Sequence, residues 1–325
     1  MSLHERSLSV TPSTLKLELD GPIAVLTLNR PEKRNAISPQ MIDELLAVFD
    51  EIERGPAYVA ILTGAGQDFC SGMDLECLKQ FAAEAEKARQ RAEIEAQEPA
   101  TAGVMDGAVR VLKGKTEEPA ALSPSAEPTE LATQNSRTLA RMFRRIYDFP
   151  KPLIAAVNGA AIAGGCGIAT LCDFTLAVPE AKFGYTEVRI GFIPAIVSVF
   201  LVRQIGEKQA RDLLLTGRIF KAAEAQNLGL VTEVVAPDRL MSRARELASQ
   251  LLDISPTSLT STKRLLMELS RTELNHALEL AVEASARIRS TPDYREGLTA
   301  FLEKRRPHWR GIPASWEPEH SDRKR

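Results

Sequence analysis

The 325-residue chain is 44% apolar, enough to bury a substantial core as one large or two small domains. Its 41 Lys and Arg stand against 43 Asp and Glu, a net charge of −2 that makes nucleic acid an unexpected partner. Cys70, Cys77, Cys166 and Cys172 have no paired metal-ligand spacing, and the opening MSLHERSLSV carries Glu5 and no apolar run. Reduced thiols, no metal, no signal peptide and a cytoplasmic location are therefore expected.

Two strands, Leu15 to Leu19 and Ile23 to Leu28, flank the turn Asp20-Gly21-Pro22. A polar loop from Asn29 to Asn35 follows. Ser38-Pro39 reads as N-cap and first helical residue, and Ile42, Leu45, Leu46, Phe49 and Ile52 share one helical face. Tyr58 to Thr63 is a further strand, ending in Gly64-Ala65-Gly66. The rhythm is that of an α/β layer. It breaks between about Phe81 and Asn135, where a helical stretch to about Gln97 gives way to a polar, proline-rich segment expected to be partly disordered. A helix resumes near Ser136 and stops before Pro150. Phe174 to Ala177 is a strand, Phe183 opens a loop, and the chain beyond Ala195 is mostly helical, with Val231–Val235 the last strand-like piece.

Between Pro152 and Asp173 lies an uncharged run in which LIAAV enters Gly164-Gly165-Cys166-Gly167. Its four glycines and Asn158 make it too weakly apolar for a membrane span, so no membrane is expected. The order is strand, tight turn, helix start, which leaves backbone N–H groups free to hold a developing oxyanion. A bland glycine turn in a buried sheet is the alternative. A second such turn, Phe69-Cys70-Ser71-Gly72-Met73-Asp74-Leu75, follows the Tyr58–Thr63 strand. The only histidines, His4, His276, His308 and His320, are remote in sequence, so a carboxylate is the expected proton carrier. A serine hydrolase is excluded because no G-x-S-x-G elbow is present.

FCSGMDL, AAVNGAAIAGGCG, CDFTLA, AKFGYTEVRIGFIP and LLLTGRIFKAAEAQNLGLV, in this order, resemble the crotonase (enoyl-CoA hydratase/isomerase) superfamily. LNRPEKRNAIS and EGLTAFLEKRRP are similar to it too. The resemblance implies an α/β fold, a crotonase-like spiral of ββα turns over 1–80 and 136–220. It also implies a helical C-terminal oligomerisation region over 221–310, forming a homotrimer or hexamer. The 81–135 insertion and a polar tail, 311–325, lie outside it. The implied substrate is an acyl-CoA thioester, with no cofactor beyond the CoA it carries. Met73 and Gly164 match the two oxyanion N–H positions, and Glu187 matches one of two catalytic glutamates. Ile190 and Phe192 would raise its pKa, and a salt bridge to Arg189 or Lys182 is its structural alternative. Lys33, Ala36, Ser71, Asp74, Leu75, Glu76 and Gly165 fall at substrate-binding positions, beside the cationic Arg30 and Arg34. Phe301 and Lys304 match a C-terminal pair at the adenine end.

Gly167 departs from the pattern, since two-glutamate hydratases carry the second glutamate there. Asp173 is read as a cap on the helix end. A single glutamate suits hydration of an enoyl-CoA or Δ3-to-Δ2 isomerisation. GFIPAIVS with Gly167 resembles single-glutamate hydratases of branched 3-methylglutaconyl-like esters, for which Arg189 or Arg203 would hold a second carboxylate. A catalytically silent CoA-binding paralogue, a thioesterase or a decarboxylase are the rival readings.

Overall fold

The computed structural model describes residues 12–97, 130–270 and 272–312. Residues 12–74 and 139–312 belong to one compact unit, and residues 75–97 and 130–138 to a second. The first unit is built on a six-stranded sheet. Strand β1 (Leu15–Asp20) turns at Gly21 into antiparallel β2 (Ile23–Leu28), and helix α1 (Pro39–Arg54) leads to β3 (Val59–Gly64), parallel to β2. Ser38 caps α1, its side chain accepting from Met41 N at 3.2 Å, a contact worth about 1 kcal/mol. Met41, Leu45, Val48, Phe49 and Ile52 then face the sheet at helical spacing.

Helix α2 (Leu75–Gln97) forms most of the second unit, and α3 (Glu130–Tyr147) starts there. The helix thus begins six residues before the expected Ser136; the proline-rich stretch expected to be disordered lies outside the described residues, as does the tail beyond 312. From Leu139 onward α3 belongs to the first unit, where Met142, Phe143 and Ile146 are buried.

Strand β4 (Leu153–Val157) pairs with β3, and every one of its residues is buried, as both-face burial in a parallel sheet demands. The short β5 (Ala161–Ile162) and helix α4 (Gly164–Thr170) follow, then β6 (Phe174–Ala177), parallel to β4. Phe183, expected to open a loop, instead lies in strand β7 (Lys182–Gly184) beside β5. A 3-10 turn, Glu187–Ile190, precedes helix α5 (Ala195–Thr216), which is kinked at Gly206, where φ is +78°. Strand β8 (Phe220–Lys221) completes the three-stranded sheet β5-β7-β8. Helix α6 (Ala222–Asn227) and β9 (Glu233–Val234) close the six-stranded order β1-β2-β3-β4-β6-β9. Helices α7 (Leu240–Leu252), α8 (Pro256–Leu269), α9 (Leu274–Ile288) and α10 (Pro292–Leu302) follow, within the stretch expected to be helical.

All five contiguous strands β2, β3, β4, β6 and β9 run parallel, so the loops after β2, β3 and β4 emerge on one edge. Ligands of such sheets bind outside the carboxyl ends of the strands. Among the described residues no helix is long and apolar enough to cross a membrane, and no group of His, Cys, Asp and Glu converges as a metal site.

Candidate active site

The loops after β3 and β4 are laced together by backbone. Phe69 N and Cys70 N both donate to Ala160 O, at 3.0 and 2.9 Å, and Ile162 N donates to Cys70 O at 2.9 Å. This contact is close enough that a Cβ on Gly165 would stand 2.2 Å from Cys70 O, so only glycine fits. One step further, a Cβ on Gly72 would meet Ala163 Cβ at 3.0 Å and Gly164 N at 3.7 Å. The two glycine turns are therefore neighbours in space.

Each turn leaves one N–H unspent. Ile37 bridges to Met73, with Ile37 N donating to Gly72 O at 2.7 Å and Asp74 N to Ile37 O at 2.9 Å. In a parallel bridge of that register the N–H of Met73 itself points away from Ile37. Gly164 opens α4, so its N–H has no intrahelical acceptor. Ala163, just before it, holds φ +51° and ψ −122°, a conformation that costs a non-glycine residue roughly 1–3 kcal/mol. Its own N–H is anchored to Gly184 O at 2.7 Å. The strain lies at the residue that sets the direction of the Gly164 N–H.

Glu187 begins the 3-10 turn after β7. Its Oε2 is buried without a hydrogen-bond partner, and burial pushes the carboxyl above its ordinary range. Neither Arg189 nor Lys182 pairs with it. Ile190 and Phe192, expected to supply an apolar surround, are 66% and 56% exposed in the single chain. The position of the missing second glutamate is closed: a Cβ on Gly167 would meet Val197 Cγ1 at 2.7 Å and Phe143 Cε1 at 2.8 Å. Two neighbouring N–H donors and a single desolvated carboxylate are an arrangement for stabilising an enolate-like oxygen while moving one proton.

The enoyl-CoA hydratase/isomerase family model matches residues 18–105 and 123–312. This chain belongs to that family. It is 40% identical over 294 residues to a Thermus thermophilus protein that carries an enoyl-CoA hydratase name, covering 89% of this chain and 98% of the relative. Short-chain-enoyl-CoA hydratase of Clostridium acetobutylicum is 32% identical, over 89% of this chain and 95% of its own length. Among solved structures, an enoyl-CoA hydratase from Shewanella pealeana superposes with a TM-score of 0.75 at 29% identity, covering 92% of this chain and 96% of that one. The α/β core with C-terminal helices expected from the sequence is the observed fold class of this hydratase/isomerase family member.

Several residues that the sequence resemblance assigns to substrate have structural partners. Arg30 donates to Ala36 O at 2.6 Å and pairs with Asp74 at 2.7 Å, with Asp74 buried, so both hold the loops together. Arg34 pairs with Asp68 at 2.7 Å. Asn35, buried in a left-handed conformation with φ +54°, ties the same loop to Ala65 O and Asp68 O; nothing in the sequence reading singled it out. Ser71 N donates to Arg34 O, Ala36 is buried, and Lys33 is exposed at the end of the 3-10 turn Pro31–Lys33. Leu75 and Glu76 open α2, with Glu76 paired to Lys79 at 3.0 Å. Phe301 is 79% exposed near the end of α10, and Lys304 follows it in a left-handed turn; no hydrogen bond joins either to the glycine turns. Asp173 does not cap α4. Its Oδ2 accepts from Leu153 N at 2.8 Å and from Lys263 Nζ at 2.6 Å, fastening α8 to the start of β4.

Proposed function

We propose that this chain binds acyl-CoA thioesters and adds water across the double bond of an enoyl-CoA. Met73 and Gly164 N–H groups would receive the thioester oxygen, and Glu187 would be the one proton carrier. Its carboxylate takes a proton from water as hydroxide bonds to the β-carbon, and negative charge moves onto the thioester oxygen. The carboxyl then returns that proton to the α-carbon. Each backbone donor contributes roughly 3 kcal/mol at the transition state. The observation that carries the reading is the buried, unpartnered Oε2 of Glu187 in the same compact unit as two adjacent unspent N–H groups. A raised pKa suits a group that must both take and return a proton near neutrality.

The closure of position 167 by Phe143 and Val197 favours a second reading, Δ3-to-Δ2 isomerisation. There Glu187 removes a proton from the α-carbon and delivers it to the γ-carbon, and no water is needed. For a branched 3-methylglutaconyl-like ester, Arg189 is the stronger candidate for the second carboxylate. It is exposed, two residues beyond Glu187, and has no ion pair among the described residues, whereas Arg203 is turned onto Val199 O. Lys33, Ala36, Ser71, Asp74 and Gly165 would surround the substrate, with Phe301 and Lys304 meeting CoA from a neighbouring subunit. Exposed Leu274, Leu278, Val282 and Leu298 support a homotrimer or hexamer through α9 and α10. Four free, buried cysteines suit a reducing cytoplasm.

The test is a panel of acyl-CoA esters incubated with purified protein, with products read by mass. A gain of water on an enoyl ester supports hydration. Unchanged mass with a moved double bond selects isomerisation, loss of CoA selects a thioesterase, loss of carbon dioxide a decarboxylase, and binding without turnover a silent paralogue.

A further inference from the structure

Beside α4 lies a buried polar chain that the proton steps above do not use. Tyr185 stands two residues before Glu187 and is 1% exposed, with its hydroxyl 3.2 Å from Thr170 Oγ1. Thr170 closes α4, the helix that opens at Gly164. The Thr170 hydroxyl spends its one proton on Cys166 O at 3.0 Å, so Tyr185 is the donor in the Tyr–Thr pair. Gln204 Nε2 donates to Thr170 O at 2.5 Å. Burial first, and then the neighbouring Cys166, hold the phenol far above its ordinary pKa, so it stays a donor throughout the neutral range.

These bonds fasten α4 at both ends to one short segment. At the helix start, Ala163 N donates to Gly184 O, one residue from the Gly164 N–H. At the helix end, Thr170 holds the hydroxyl of Tyr185, two residues from the Glu187 carboxylate. A phenylalanine would fill the same apolar space without a buried hydroxyl to satisfy, so the hydroxyl adds direction more than burial.

We propose that Tyr185 is a positioning residue, whose hydroxyl, held by Thr170, fixes the Glu187 carboxylate relative to the Gly164 N–H. This inference rests on the roles given to Glu187 and Gly164 above. Proton transfer is steep in distance, and misplacement by about 1 Å can cost on the order of 100-fold in rate. Removing the hydroxyl should loosen the pair without emptying the core.

Three variants test it on whichever acyl-CoA the wild type turns over. Tyr185→Phe and Thr170→Val each break the bond, and Thr170→Ser keeps it. Both bond-breaking variants should lower kcat about 5- to 20-fold with KM within about twofold of wild type, and the double variant should lose no more than either alone. Thr170→Ser should stay within about twofold in kcat, which a purely space-filling role for Thr170 would not give. Unchanged kcat in folded Tyr185→Phe overturns the inference, as does a loss confined to KM or a double variant whose losses multiply. If Glu187→Gln remains active, the reading of Glu187 falls instead, whatever Tyr185→Phe does.

Discussion

Helix α4 and helices α8 and α9 are both helical by sequence, yet they are finished to different degrees. Every residue of α4 after Gly164 is buried, whereas α8 and α9 have no buried residue in the single chain. The glycine turns beside α4 are packed within one chain, and their glycines are fixed by neighbours at van der Waals distance. The C-terminal helices carry Leu266, Leu274, Leu278 and Val282 at 58–70% exposure, an apolar surface left open in the single chain. Substitutions should accordingly damage the fold in the first region and the assembly in the second.

The largest effect is expected at Gly165. Valine there drives a branched side chain into Cys70 O, and the loss should reach about 3 kcal/mol or more, seen as a lowered denaturation midpoint or no soluble protein. Leu278→Asp with Val282→Asp should instead leave the circular dichroism spectrum intact and shift sedimentation to the single chain. An unchanged assembly would move the interface away from α9. Gly167→Ala falls between, at about 1–3 kcal/mol, because Phe143 and Val197 are side chains that can partly yield. Ala163→Gly should be the mildest, stabilising by up to about 1 kcal/mol through relief of the φ +51° strain, less the entropy glycine loses on folding.

How far the sequence reached follows from the same contrast. The turns at Met73 and Gly164 were legible because glycine runs at strand ends have few structural uses, and their order along the chain matched a family. The remote histidines pointed to a carboxylate without saying which, and Glu187 was singled out only by the resemblance of YTEVRIG to the family. The closure at Gly167 was not, because Phe143 and Val197 come from helices 24 residues before and 30 residues after it. Asp173 was misread for a similar reason: its partner Lys263 lies 90 positions away. Strands β5 and β8, of two residues each, carry no periodicity to read, and β7, where a loop is expected from Phe183, is a three-residue strand only through its pairing with β5 and β8. The faces of α8 and α9 have the helical spacing of a core helix, and their sequence alone does not say that they stay exposed in the single chain.

The central claim, that one desolvated carboxylate carries the proton, is tested most directly by Glu187→Gln. Burial raises the folded-state pKa of Glu187 above the ordinary 4.5, so the ionised side chain costs stability at neutral pH. That cost is absent below the ordinary pKa and grows as pH rises through the folded value. Glutamine should therefore raise Tm at neutral pH, with the gain fading in acid. In the same protein kcat should fall at least about 100-fold, while acyl-CoA affinity by calorimetry stays within about twofold. A variant that keeps more than about a tenth of wild-type kcat would contradict the account, because general acid–base catalysis at this residue could then contribute no more than about tenfold.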